Sequence, residues 1–247
     1  MSSAAWARDC PPSGPTQAVL VERVIDGDTL RLADGSRVRL IGVDAPELDH
    51  QEGRHEPLAE AASAAVKQFL AGGKAYLVFG EQPRDHYGRT LAYVYNGERE
   101  SLEALLLRRG LAFHVTVPPN LAQASCFAVI EREARDAQRG VWGEPYWRVR
   151  PAAALGAADA GFRRVVGRVT GVSIGRDIWL ELDGPLVLRI GADDRERFTL
   201  EDWTALVGRR VEVQGWVVDR SDSSAAQRGF KPLLMPLRTP FQWLVLD

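Results

Sequence analysis

The order of the apolar segments constrains this chain more than any other feature. Twice along its length, three strand-like runs lead into a helical run, and two more strand-like runs follow. In the first half AVLVERVI (18–25), DTLRL (28–32) and RVRLIGV (37–43) alternate apolar and polar positions. The second and third flank Ala33-Asp34-Gly35-Ser36, a hairpin signal. PLAEAASAAVKQFLAGG (57–73) has Pro57 near its start and Gly72-Gly73 at its end, the start and stop signs of a helix. KAYLVFG (74–80) and RTLAYVY (89–95) complete the set, and SLEALLLRRG (101–110) and LAQASCFAVIEREARDAQRG (121–140) add two helices with glycine stops. In the second half RRVVGRVTGV, DIWLELD and LVLRIG are strand-like. TLEDWTALVG (199–208) reads as a short helix capped by Thr199, and RRVEVQGWVV and FQWLVL supply two more strands.

Five strands with a helix between the third and fourth is the plan of the OB barrel, a fold that often holds nucleic acids or saccharides. The expected fold class is α+β and β-rich, one OB-type barrel with three helices plus a second, smaller OB-like barrel. The expected domains are a flexible N-terminal segment (1–17), a first barrel domain (18–143), a linker (144–161) and an OB-like C-terminal domain (162–247). The linker reading rests on EPYWRVRPAAALGAADAG, which loses periodicity and is rich in Ala, Pro and Gly.

Composition narrows the class further. With 45% hydrophobic and 26% charged residues, disorder is not the default. No apolar run approaches the roughly eighteen residues of a membrane span, so no membrane is expected as a partner. A net charge of −2 excludes general attraction to polyanions, so any nucleic acid must be held by a local cluster or a metal. Cys10 and Cys126 are the two cysteines, with no C-x-x-C spacing, which argues against zinc. They form either one disulfide or two unrelated thiols. The bridge is expected, because Cys10 precedes the first strand in an otherwise untethered tail and Cys126 lies on the last helix of the same barrel. The segment MSSAAWARDCPPSGPTQ has no long apolar core, so as written it is not a signal peptide. A removed signal and a cytosolic tail would both look like this, and the expected disulfide favours a periplasmic or secreted location.

The densest chemistry is Asp26-Gly27-Asp28-Thr29, followed sixteen residues after Asp28 by Asp44-Ala45-Pro46-Glu47. Asp-Gly pairs are ordinary turn formers. Here Asp28 opens the second strand and Asp44 closes the third, and a hairpin brings those ends together. Two carboxylates and a main-chain carbonyl make a hard, oxygen-only site suited to calcium. Arg39 lies five residues before Asp44 on what reads as one strand. The odd offset would place it on the opposite face, so a twist or bulge must aim it inward. Asp85-x-Tyr87-Gly88-Arg89 adds a second arginine before another strand. Two Arg, two Asp and one Glu suit phosphodiester hydrolysis: metal and arginines neutralise the phosphorane, and Glu47 activates water.

DGDT, VRLIGVDAPE, DHYGRTLAYVY, RRGLA and AR…GVW, in that order over residues 18–143, resemble the staphylococcal nuclease (thermonuclease) family. The resemblance implies an OB barrel with added helices that hydrolyses DNA and RNA with calcium, cutting the P–O5′ bond. Carried over by motif, Asp28, Asp44 and the Ala45 carbonyl hold Ca2+, Arg39 and Arg89 clamp the phosphate, and Glu47 is the general base or water-positioner. Asp26 stands behind the metal ligands and Tyr87 contacts a substrate phosphate. Thr29 and Asp85 are grouped with them as supporting or substrate-facing residues. Ala45 replaces the usual threonine, but only its main-chain oxygen is needed. His86 stands where the type enzyme has a phosphate-contacting lysine, and FHVTVPPN lacks its base-stacking tyrosines.

The expected protein is a calcium-dependent nuclease, with nucleic acid as its substrate and a monomeric state. The alternative is a nucleic-acid-binding scaffold on a degenerate nuclease barrel. His50 and His55 flank an acidic loop and read as solvated rather than metal-bound. Trp179, Trp203, Trp216 and Trp243 read as core or rim packing, with base stacking the alternative. The C-terminal block has no acid cluster matching Asp28, Asp44 and Glu47, so it is expected to modulate the chemistry through weak, salt-sensitive strand contact.

Overall fold

Leu30, Leu32, Val38 and Leu40 occupy every second position of two hairpin strands, and all are buried. Their partners Arg31, Arg37 and Arg39 face the other way, as a two-residue period requires. In the computed structural model, which describes residues 10–49 and 53–246, this pattern builds one barrel in each of two units that divide between Tyr146 and Trp147.

In the first unit the chain runs through β1 (Gln17–Val24), β2 (Thr29–Leu32), β3 (Arg37–Leu40), β4 (Val43–Asp44), α1 (Ala59–Phe69), β5 (Lys74–Arg84), β6 (Thr90–Tyr95), α2 (Leu102–Arg109), β7 (Phe113–His114) and α3 (Ala124–Asp136). A closed barrel forms in the order β1-β2-β3-β6-β5, with β3 and β6 parallel. Leu77, Tyr95, Leu106, Leu107, Phe127 and Ile130 bury in its core, which the helices help to cover.

The reading of residues 37–43 as one strand is corrected by the structure. β3 stops at Leu40, and Gly42 turns the chain with φ of 87° before β4 pairs with β7. A Cβ at Gly42 would stand 2.7 Å from the Phe127 ring, so only glycine fits this turn.

Cys10 and Cys126 are joined by a disulfide that closes a separation of 116 residues, and Gln123 donates to the Pro11 carbonyl at 2.7 Å. Residues 10 and 11 are therefore tied to α3 rather than loose, while residues 1–9 of the expected flexible segment lie outside the described residues.

β6 outruns β3, whose last partner is Ala92, and the buried Glu103 carboxylate takes the buried Val94 N–H beyond that pairing at 2.9 Å. Its other oxygen accepts from the Ser101 hydroxyl at 3.0 Å, and Ser101 caps α2 through the Ala104 amide. Burial pushes the Glu103 carboxyl up to about 8.

The second unit contains β8 (Arg150–Pro151), β9 (Gly161–Ile174), β10 (Ile178–Leu182), β11 (Leu186–Ile190), β12 (Arg210–Asp219), α4 (Ser224–Gln227), β13 (Leu233–Pro236) and β14 (Trp243–Val245). Strands β9-β10-β11-β13-β12 close through the β12–β9 pairing, with β11 and β13 parallel. Both barrels therefore follow one circuit, in which the third and fifth barrel strands make the parallel contact.

Two further expectations are corrected here. FQWLVL is not the fifth barrel strand. That place belongs to β13, where Leu233 and Met235 bury, and Trp243–Val245 pairs at the edge of β12. Prolines at 232 and 236 bracket β13 and hide its strand signal. Residues 199–208 form no α-helix, only a 3-10 turn at Thr204–Leu206. The Asp202 carboxylate takes the Thr204 amide at 2.9 Å and its hydroxyl at 2.6 Å, a local turn that competes with the helix. Trp203 is buried there against Phe198 and Trp243.

Residues 147–161, read as part of a linker, carry β8 alongside β9, bury Leu155, and pair Arg150 with Asp159 at 2.9 Å. Among the described residues no helix is long and apolar enough to cross a membrane.

Two measurements check this account. Replacing Cys10 and Cys126 by serine should lower stability by about 4–5 kcal/mol in guanidinium unfolding, the loop-entropy effect of so long a closure. Glu103 stays protonated in the folded chain up to about pH 8 but ionises in the unfolded chain above about 4.5. Its stabilisation is therefore complete below the unfolded value and is lost as pH rises through that window. Glu103→Gln keeps an acceptor for Val94 and should gain at least about 1 kcal/mol at pH 8 while changing little at pH 4.

Candidate active site

Asp28 is placed by the turn between β1 and β2, where its own amide donates to Asp26 at 2.9 Å. The carboxylate is buried, and three groups hold it. One oxygen accepts from the Thr29 hydroxyl at 3.0 Å. The other accepts from the Ala45 amide at 2.9 Å and faces the Arg39 guanidinium at 3.1 Å. Gly27 allows this approach: a Cβ there would meet the Ala45 Cβ at 2.6 Å and the Ala62 Cβ at 2.8 Å.

The β2–β3 register sets Thr29 opposite Arg39, which brings the arginine to the Asp28 corner. Arg39 then threads the Gly42 turn, donating to the carbonyls of Leu40 at 2.9 Å and Val43 at 2.7 Å and to Asp44 at 2.8 Å. The odd spacing of Arg39 and Asp44 is thus resolved by a turn between two strands. One guanidinium group bridges Asp28 and Asp44.

The second arginine is built separately. Asp85 accepts from the amides of Tyr87 at 3.0 Å and Arg89 at 2.9 Å, and from Arg89 Nε at 2.7 Å. Burial opposes the Asp85 charge, but these bonds outweigh it and hold the carboxyl below its usual range. Tyr87 is 67% exposed, with the Arg89 guanidinium carbon 5.4 Å from its ring centroid. His86 is exposed beside it, the two rings 3.7 Å apart.

Electrostatics joins the parts. Burial, reinforced by the Asp28 charge, raises Asp26 well above the ordinary carboxylate range. Burial likewise raises Asp44. Arg39 opposes that shift, while Asp28, Glu47 and Glu56 add to it. Burial works against the Arg39 charge, yet Asp28, Asp44, Asp26 and Glu47 together hold it more firmly protonated. Glu47 keeps an exposed side chain, but crowding by protein and then Asp28 push its carboxyl upward, while Arg39 and Arg89 pull it down. Glu47 is thus the group that feels both arginines.

Such a site holds more acid than one arginine can neutralise. Its donors are all oxygen: Asp28, Asp44 and the main chain of Ala45, which is tied to Asp28. Among the described residues no three His, Cys, Asp or Glu side chains form a metal cage, so an ion held here would need further ligands from water or substrate. That donor set fits a hard divalent cation and no soft metal. His50 lies outside the described residues, and His55 meets Glu60 at 3.8 Å.

One contributor is invisible in the linear pattern. Glu56 accepts from the Glu47 amide at 2.8 Å and donates its own amide to the Glu47 carbonyl at 3.0 Å, fastening the loop that carries Glu47. Nothing in the spacing marks it.

Comparison with known proteins bears on this unit alone. The sequence profile of the staphylococcal nuclease homologues matches residues 37–144. The thermonuclease of Staphylococcus intermedius is 40% identical over 129 residues, 51% of this chain and 76% of that protein. The thermonuclease of Staphylococcus hyicus is 35% identical over 129 residues, with the same shares covered. Endonuclease YncB of Bacillus subtilis is 35% identical over 131 residues, 51% of this chain and 62% of that protein. The chain belongs to the staphylococcal nuclease family. It is a nuclease by that membership, and Arg39, Asp44, Glu47 and Arg89 lie within the matched residues. The profile match ends at residue 144, so the second barrel is described by its own geometry.

The tight packing at Gly27 generates a prediction for this acid corner. Gly27→Ala should force the Asp28 turn away from Ala45 and cost about 1–3 kcal/mol in thermal or denaturant unfolding. Cleavage per folded molecule should fall as well. Unchanged cleavage in a destabilised variant would detach the turn from the site.

Proposed function

We propose that this nuclease hydrolyses phosphodiester bonds of DNA or RNA with calcium, breaking the P–O5′ bond by attack of water oriented by Glu47. One observation carries the reading. Glu47 stands exposed within electrostatic reach of Asp28, Arg39 and Arg89, while Asp28 and Asp44 are held together by a single guanidinium.

Asp28, Asp44 and the Ala45 carbonyl would hold the cation. Bound there, a calcium ion supplies positive charge against the non-bridging phosphate oxygens. Arg39 and Arg89 present further donors to the same phosphate, and their value grows as charge develops in the transition state. The raised Glu47 carboxyl is a stronger base than a free glutamate, which suits it to accept a proton from the attacking water. Asp85 aims Arg89, Asp26 orders the Asp28 turn, Thr29 fixes the Asp28 carboxylate, and exposed Tyr87 faces substrate.

The Cys10–Cys126 bridge supports an oxidising compartment, and a periplasmic or secreted setting follows. A site with two protein carboxylates binds calcium weakly, on the order of 10⁻⁴ to 10⁻³ M, which suits extracellular calcium. The protein acts as a monomer in this proposal.

Incubation with plasmid, denatured DNA and RNA, in calcium or in chelator, tests the reading. Cleavage should require calcium. Glu47→Gln and Arg89→Ala should each reduce turnover at least about a hundredfold with the fold intact by circular dichroism. Asp28→Ala and Asp44→Ala should lose calcium binding by calorimetry. Strand binding without cleavage under every condition would establish a scaffold instead.

A further inference from the structure

The second barrel carries a cavity of about 400 Å³ on its own surface. Trp179 and Glu181 of β10 form one side, and Arg220, Arg228, Phe230 and Lys231 of the β12–β13 connection form the other. This is the face of strands two and three and the loop between strands four and five, where OB barrels hold oligomeric ligands.

The lining combines rings with positive charge. Trp179 is half-buried, and the guanidinium carbons of Arg189 and Arg220 lie 5.8 and 5.7 Å from its ring centroid. Phe230 is 58% exposed at the rim, a large apolar ring left in water. Arg228 is exposed and makes no ion pair among the described residues. Glu181 is the one carboxylate in the lining.

The loop that bears these groups is fastened rather than loose. The Lys231 ammonium donates to the carbonyls of Leu182, at 2.8 Å, and of Gly184, clipping the connection to the β10–β11 hairpin. Arg220 Nε donates to the Lys231 carbonyl at 3.1 Å, which sets its guanidinium by Trp179. Lys231 therefore positions the loop, with partly exposed Arg220 beside Trp179 and exposed Arg228 supplying positive charge to the lining.

We propose that this cavity docks single-stranded nucleic acid, with bases stacked on Trp179 and Phe230 and phosphates against Arg220 and Arg228. Flat rings with flanking guanidinium groups suit bases on a polyanionic backbone, since every base has a π face and every nucleotide a charge. A neutral saccharide would use the rings but leave the arginines without counter-charge. The proposal rests on the nuclease reading for its biological sense and not for its binding chemistry.

The test uses the full chain in chelator, so that cleavage is silent. Anisotropy of a fluorescein-labelled twelve-nucleotide oligothymidine reports binding. Trp179→Ala and Phe230→Ala should each weaken it about five- to a hundredfold, the range for loss of one base–ring stack. Trp179→Phe should restore most of the affinity, and exposed Phe230 keeps the test open should Trp179→Ala fail to fold. Arg228→Ala should reduce the slope of affinity against salt by about one phosphate contact. Unchanged affinity in both ring variants overturns the site, as does equal binding of an abasic oligomer or tighter binding of a neutral oligosaccharide. Plasmid cleavage in calcium is scored on the same preparation. Cleavage without ring-dependent binding overturns this site alone, whereas ring-dependent binding without cleavage overturns the nuclease reading alone.

Discussion

The Arg39 guanidinium is the interaction on which the acid corner of the first barrel depends. It closes the Gly42 turn through two carbonyls and bridges two carboxylates that would otherwise repel across a buried gap. Removing one member of such a group strands the others without compensation, which costs far more than a surface pair. Fold and site are therefore coupled here. The turn that ends β3 early also delivers Asp44 to Asp28, and the hydrogen bonds that hold the turn are the ones that orient the charge.

The second barrel repeats this corner in a weaker form. Asp177 precedes β10 as Asp28 precedes β2, pairs with Arg189 at 2.8 Å and takes the Ala192 amide at 3.2 Å. Its arginine side chain is 42% exposed, against 15% for Arg39. Solvent screens the pair, Arg189 bridges no second acid among the described residues, and the Asp177 carboxyl sits below its usual range because the Arg189 bond stabilises its charge. One strand circuit thus carries a desolvated acid cluster in the first barrel and a plain structural ion pair in the second. The ligand face of the second barrel moves instead to Trp179 and the β12–β13 connection. A fold supplies places for chemistry, and burial decides which of them are charged enough to use.

Crowding by the surrounding protein also sets these acids of the first barrel apart. Asp26, Asp44 and Glu47 are all raised, each by crowding first and by neighbouring acids second. Asp85, bonded three times by the Tyr87–Arg89 segment, is lowered. The same residue type thus serves to gather positive charge at one point and to aim an arginine at another.

Alternation and glycine stops in the sequence alone determined most strands of both barrels, the first-unit helices and the five ordered motifs of the nuclease half. Those features are local: a period of two buries one face of a strand wherever its neighbours lie. Three things were decided only by tertiary structure. The break between Leu40 and Val43 depends on Phe127 filling the space over Gly42, a contact between residues far apart in the chain. The fifth strand of the second barrel is bracketed by prolines and shows itself only by pairing with β11 and β12. The helix expected at 199–208 gives way to a turn because Trp203 buries against Phe198 and Trp243 while Asp202 satisfies the local amide. Glu56 and the Trp179 cavity belong to the same class, because a charge or a ring acquires its role from what surrounds it, and sequence spacing does not record surroundings.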